Sequence, residues 1–184
     1  MHKNLLALIV LSVLSMFCLG AKVREGSPLP EVLLNGNAGK MEVVDGDIEY
    51  RTWSTSNLTG KVRTVYHLAA RKGIDSINQK YIDALDAENL SPEKYQTLII
   101  LNIDDVFPFG RGFARKGFED SRKRNSPAEY VLDDVSKARK AWDLKKKGSA
   151  VIVIGKDGKV LRFKDGALAK DEIKMFIESI KSGF

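Results

Sequence analysis

The sequence predicts an α/β protein with a central mixed sheet flanked by helices, and three stretches predict it. Val62 to Leu68 is a β-branched and aromatic run that reads as a strand, followed by a loop and a helical pattern from Ser76 to Asn89. Leu98 to Ile103 is almost continuously apolar, the composition of a parallel strand covered on both faces. Ala150 to Ile154, the turn Lys156-Asp157-Gly158-Lys159, and Val160 to Lys164 read as an antiparallel hairpin. The first two stretches make a right-handed strand–helix–strand crossover.

The elements in order begin with a leader. Residues 1–21 have a basic start, an apolar run from Leu5 to Phe17 and a small-residue end at Gly20-Ala21, the pattern of a signal peptide. The apolar run is too short to span a bilayer, which needs about 20 residues. Cleavage after Gly20 or Ala21 leaves a single domain over residues 22–184. Cys18 could instead accept a lipid, but Phe17 stands where a small residue is needed. Ser27-Pro28-Leu29-Pro30 is extended. Val32 to Leu34, Met41 to Val44 and Ile48 to Trp53 are short strands, with turn signals at Asn35-Gly36 and Asp45-Gly46, so an N-terminal β-hairpin extends the domain. In the central strand Val62, Thr64, Tyr66 and Leu68 share one face, and Arg63, Val65 and His67 the other.

Asp75 or Ser76 caps the following helix, whose apolar side carries Ile77, Tyr81, Ile82 and Leu85. Ser91-Pro92-Glu93 opens a short helix. Gly110 to Asn125 is a weaker helix, with Phe113 and Phe118 facing the core and six cations from Arg111 to Arg124 on its polar side. Tyr130-Val131-Leu132 is a short added strand. Val135, Ala138 and Trp142 mark another helix, with Trp142 as its core anchor, and Ile173, Phe176, Ile177 and Ile180 make the final helix amphipathic. The triplets Asn57-Leu58-Thr59 and Asn89-Leu90-Ser91 match the glycosylation pattern, which matters only in a eukaryotic secretory pathway.

The stretch from Gly60 to Asp75, GKVRTVYHLAARKGID, resembles the first strand and active-site turn of thioredoxin-like proteins. LIILNIDD resembles their second core strand, and AVIVIGKDGKVLRF their final hairpin. YRTWSTSNLTGKVRTVYHLAAR, YQTLIILNIDD and SAVIVIGKDGKVLRFKDGAL are similar to the YtfJ family of small exported proteins, which has no established function. The resemblance implies a thioredoxin-like fold across nearly the whole mature chain and a periplasmic location. It places the two redox cysteines near Lys72 and Asp75, and the family's cis-proline at Ala150, so this chain departs from the pattern at all three.

Thiol chemistry is excluded by composition as well. The chain has one cysteine, Cys18, and it leaves with the leader, so neither thiol–disulfide exchange nor a thiol peroxidase is available. No cofactor is implied. His67 is the only histidine outside the leader, and one histidine without a Cys or His partner argues against a metal. Asp104-Asp105 carries oxygen ligands of the calcium type, but adjacent strand residues point apart. The net charge is +6, one less without Lys3. That charge suits solvated surface better than nucleic acid, since no helix-turn-helix or finger spacing is present and an exported chain meets little nucleic acid.

The site is expected where ligands gather in open α/β sheets, at the carboxyl ends of the parallel strands. Residues 67–72, 102–105 and 149–150 should meet there. They bring His67, Arg71, Lys72, Asp104, Asp105 and Ser149 into one neighbourhood, with Arg71 and Lys72 suited to a phosphate or carboxylate. A binding or adaptor module for a protein or small anionic ligand, acting as a monomer with no stable membrane insertion, is the leading expectation. The plain alternative is a degenerate site of solvated loop charges. Others are a non-thiol enzyme built on His67, Asp104 and Arg71, and an electrostatic binder using the basic helix 111–124. For His67, a hydrogen-bonded core residue is the alternative to a general base.

Overall fold

A computed structural model describes residues 22–124 and 127–184; the leader, Cys18 and the expected helix end at Asn125 lie outside the described residues. Two short strands, β1 (Leu33–Leu34) and β4 (Trp53–Ser54), pair antiparallel. Between them β2 (Gly39–Val44) and β3 (Asp47–Arg51) form the expected hairpin. Asp45 and Gly46 turn it with φ of 50° and 86°, the left-handed pair whose twist matches the flanking strands. The single strand expected from Ile48 to Trp53 is therefore two, β3 and β4, which belong to different sheets.

The core follows as β5 (Val62–Ala69), α1 (Gln79–Asp86), β6 (Tyr95–Asn102), α2 (Pro108–Lys123), β7 (Glu129–Asp133), α3 (Lys137–Ala141), β8 (Ser149–Ile154), β9 (Val160–Asp165) and α4 (Lys170–Ser182). The large sheet runs β3-β2-β7-β6-β5-β8-β9. β5 is parallel to β6, with Tyr66 opposite Ile99, and antiparallel to β8, with Tyr66 opposite Val151. β6 and β7 are parallel, and the N-terminal hairpin joins the sheet by pairing Gly39 and Lys40 of β2 with Leu132 and Val131 of β7. Gly39 has φ of 103°, and a side-chain carbon there would collide with the Arg51 carbonyl oxygen, so glycine is required where the hairpin enters the sheet.

The alternation within β5 sends its two faces into two layers, as expected. Val65 packs with Trp53, Leu98, Ile100, Val131, Trp142 and Ile152 beneath the N-terminal segment and α3. Val62 and Tyr66 pack with Tyr81 and Leu85 of α1 and with Phe176, Ile177 and Ile180 of α4. The added strand and hairpin bury Met41, Tyr130 and Leu132 against Phe118 of α2. Two indoles fasten the N-terminal segment and hairpin. Trp142 Nε1 donates to the Pro30 carbonyl at 3.0 Å, and Trp53 Nε1 donates to Glu129 Oε1 at 3.0 Å. Arg63, nearly buried, donates to the Thr59 and Lys61 carbonyls and to Gln96 Oε1, which supplies the acceptors a buried cation needs.

Several helix boundaries differ from the expectation. α1 begins at Gln79, so neither Asp75 nor Ser76 caps it; Asp75 accepts instead from the Ser76 amide, and Ile77 is exposed. Ser91 to Lys94 is a turn rather than a helix, with Ser91 Oγ accepting from the Glu93 amide. α3 begins at Lys137, which leaves Val135 outside it and exposed, although Trp142 does anchor the core. In α2, Phe118 is buried but Phe113 is 83% exposed, because the residues of α2 that meet the sheet are Ala114 and Phe118.

Trp142 has 1% exposure and a bonded indole, so Trp142→Ala should lower the unfolding free energy by about 3–5 kcal/mol in urea titrations of residues 22–184. A loss below about 1 kcal/mol would mean that the N-terminal segment is not held through this ring.

Candidate functional site

The carboxyl ends of β5 and β6 do converge, but the residues there divide into a closed polar network and an open groove. The network centres on Asn102, the fully buried last residue of β6. Its Oδ1 accepts from the Asp104 amide at 2.9 Å and the Ser136 hydroxyl at 3.0 Å, and its Nδ2 donates to Asp105 Oδ2 at 3.2 Å. Asp105 Oδ2 also accepts from the Lys147 amide at 2.9 Å. Asp104 accepts from Arg111 Nη2 at 2.6 Å through Oδ1 and from the Ser136 hydroxyl at 3.1 Å through Oδ2. Ser136 is buried with a left-handed φ of 58°, and its hydroxyl is shared between the two acceptors. Asp133 caps α3, accepting from the amides of Lys137 at 2.9 Å and Ala138 at 2.8 Å. Burial pushes its carboxyl above the usual range, against the pull of those amides.

Asp104 and Asp105 are thus committed to tying the ends of β6, α2, α3 and the loop before β8. Ser149, 2% exposed, is engaged too: its Oγ accepts from Asn78 Nδ2 at 3.4 Å. Asn78 also donates to the Gly166 carbonyl and accepts from the Leu168 amide, which links the start of α1 to the loop before α4.

His67 is in the core. It is 2% exposed, and its ring meets the edge of Trp142 at 6.2 Å. Burial lowers its pKa to about 4, and its Nε2 has no hydrogen-bond partner among the described residues. His67 is thus a core residue by burial, while the hydrogen bond of that alternative is not found at Nε2 among the described residues. Among the described residues His67, Asp104 and Arg71 make no hydrogen bond to one another. Nor do three His, Cys, Asp or Glu side chains group as metal ligands among the described residues.

Arg71 and Lys72 behave differently. Both are exposed, and neither side chain has a hydrogen bond or ion pair among the described residues. They line a cavity of about 510 Å³ with Leu68, Leu101, Phe118 and Tyr130. A second cavity of about 700 Å³ shares Leu68, Asp75 and Ile99 with the first and extends past Tyr66, Ile82, Asn78 and Ser149. Arg71 and Lys72 are therefore on a groove of the sheet face between α1 and α2. They lie several residues before the start of α1 at Gln79.

Of the six expected site residues, Arg71 and Lys72 share this groove with Ser149 at its far part, Asp104 and Asp105 form the network, and His67 faces the opposite layer. Sequence reasoning missed Asn102, Ser136, Arg111 and Asn78 as partners. A polar Asn102 closing an apolar run was a usable signal; Ser136 carried none, since only its long-range contacts distinguish it.

The central order of parallel β5 and β6 with antiparallel β8 and β9, flanked by helices, defines a thioredoxin-like fold. The thioredoxin domain of a thiol-disulfide oxidoreductase from Bacteroides vulgatus is similar with a TM-score of 0.57 at 13% identity, over 89% of this chain and all of that one. Residues 23–183 match the family described as "Bacterial protein of unknown function (YtfJ_HI0045)", and the chain belongs to that family. It is 34% identical to an uncharacterized protein of Haemophilus influenzae over 98% of this chain and 97% of that one. It is 31% identical to the protein YtfJ of Escherichia coli over 97% of this chain and 96% of that one.

Because His67 is held neutral, its contribution to stability depends on pH. Unfolding returns the imidazole to its ordinary value of 6.5, so between 6.5 and about 4 the unfolded chain binds more protons than the folded chain. Stability is complete above that window and falls as the pH drops through it, by up to about 1.4 kcal/mol per unit. Urea unfolding at pH 7 and pH 4.5 should therefore show the native chain losing about 2–3 kcal/mol more than His67→Phe does. Equal losses would place His67 in solvent contact.

Proposed function

We propose that this chain is an exported, periplasmic binding protein that uses the edge where thioredoxin-like enzymes keep their redox motif to hold an anionic group of its ligand. The observation that carries the reading is the pair Arg71 and Lys72, cations without partners among the described residues on the wall of a groove. A guanidinium can grip a carboxylate or phosphate with two parallel hydrogen bonds, and an adjacent ammonium adds charge. The leader pattern supports export. No helix among the described residues is long and apolar enough to cross a membrane.

Amide-shift NMR of residues 22–184, titrated with inorganic phosphate and with acetate, tests this. Shifts should concentrate between residues 69 and 76, and Arg71→Ala/Lys72→Ala should weaken binding at least tenfold. Shifts spread over unrelated surface, or unaffected by the double substitution, would remove the site.

A second reading is favoured by α2. Phe107, Phe109 and Phe113 are each more than 80% exposed near its start. Several cations of this helix already have protein partners: Arg111 with Asp104, Arg115 with the Asn37 carbonyl and the Tyr50 ring, Lys116 with Asp120 and Lys123 with Asp47. Aromatic contact assisted by the net positive charge, rather than charge alone, would then dock the helix on an anionic lipid surface. Phosphatidylglycerol vesicles should co-sediment the mature chain, and Phe109→Ser/Phe113→Ser should release most of it. Retention of the double variant would overturn this reading.

A further inference from the structure

We infer that the groove between α1 and α2 takes an elongated, mostly apolar molecule whose anionic end sits at Arg71 and Lys72 and whose body carries a hydrogen-bonding group that reaches the Tyr66 hydroxyl. The inference rests on the preceding reading for its anionic end and adds the chemistry of the rest of the ligand.

The groove has a structural origin. In this chain β7 and the N-terminal hairpin widen the sheet beyond β6, and α2 covers the added strands. α1 packs over Tyr66 on β5 and α2 over Tyr130 on β7, so the face of β6 between them is only half covered. Ile99 and Leu101 of β6 and Leu68 of β5 remain partly exposed there instead of being sealed into either core. The two cavities, about 700 and 510 Å³, meet at Leu68, Asp75 and Ile99. Each has the size of a small-molecule site.

The second observation is Tyr66. The residue is 5% exposed, and its hydroxyl is enclosed without any hydrogen-bond partner among the described residues. An enclosed phenol oxygen without a partner is costly, and tyrosines buried by folding alone normally find one. The neighbouring hydroxyl of Tyr81 illustrates the ordinary case, sharing a hydrogen bond with Thr64 Oγ1 at 3.2 Å. Tyr66 also lines the larger cavity, together with Tyr95 and Asp86. A ligand group at this point would supply the missing partner.

Charge orients the ligand. Arg71 and Lys72 line the smaller cavity, Asp75 stands where the two cavities meet, and Asp86 lines the larger one alone. An anion suits the first end and is repelled from the second, whereas a neutral hydroxyl or carbonyl suits Tyr66. Tyr66 precedes the end of β5 at Ala69 by three residues, roughly 10 Å at the usual strand rise. A medium-length acyl chain spans that separation.

Decanoate and ω-hydroxydecanoate are the probes, titrated below their micelle concentrations into residues 22–184 and read by amide shifts and calorimetry, with acetate as the head-group control. Decanoate should bind at least tenfold more tightly than acetate, with shifts extending from residues 69–76 to Ile82 and Ile99. The ω-hydroxyl should tighten binding a further threefold or more, and Tyr66→Phe should remove that gain while leaving decanoate unchanged. Tyr66→Phe only deletes an unpartnered oxygen, so it keeps the fold, and Ile82→Trp, which narrows the larger cavity, should independently weaken both acids. Equal affinity for acetate and decanoate would overturn the inference and leave the anion site standing. Decanoate binding that ignores Arg71→Ala/Lys72→Ala would overturn both, as would no binding by any of the three acids.

Discussion

Everything in this fold depends on β5 being hydrogen-bonded along both edges. Its register against β6 and β8 is fixed at once, with Tyr66 between Ile99 and Val151 and His67 between Ile100 and Ala150. A slip of one residue on either side would exchange the two faces of the strand. It would drive Tyr66 toward Trp142 and His67 toward the α1–α4 layer. Because both layers are filled, that exchange is blocked by packing as well as by hydrogen bonds. The loop that leaves β5 is therefore delivered to a defined place, beside the end of β6 and the start of β8.

The same constraint separates polar residues that stay closed from those that stay open. Residues at the strand ends are drawn into backbone satisfaction. Asn102 serves a neighbouring amide and two side chains, and Asp133 serves two amides of α3. These groups lie where backbone donors would otherwise be left unpaired, and each unpaired buried donor costs about 1–3 kcal/mol. Arg71 and Lys72 sit one step further along the loop, past the last ladder pair at Ala69 and Asn102. Among the described residues no side chain or carbonyl pairs with their charges.

The widened sheet gives the chain a surface that β5, β6, β8 and β9 alone would not have. β7 lies parallel to β6, and the hairpin then adds two antiparallel strands, so the helices on that face stand apart. No cysteine stands near Lys72 and Asp75. The half-covered face of β6 sets apolar area beside two cations that have no partner among the described residues.

The sequence by itself determined the class of fold, the alternation of β5 and the amphipathic face of α4, because side-chain period and turn chemistry are local properties. It also determined that the chain has no pair of cysteines for a dithiol motif, since Cys18 is its single cysteine. The core reading failed for Phe113, which has a core residue's chemistry but stands five residues before Phe118, about 140° round the helix from it, and projects outward. Local pattern failed for Asp104 and Asp105, whose spacing suits a site but whose oxygens are occupied. Only the tertiary structure decided these, along with the pairing of β2 to β7, the enclosure of His67 beside Trp142 and the exposure of Arg71 and Lys72 on a groove. The reason is physical: whether a side chain is buried, paired or free depends on partners that can be 112 residues away, as for Trp142 and Pro30, and no local period carries that information.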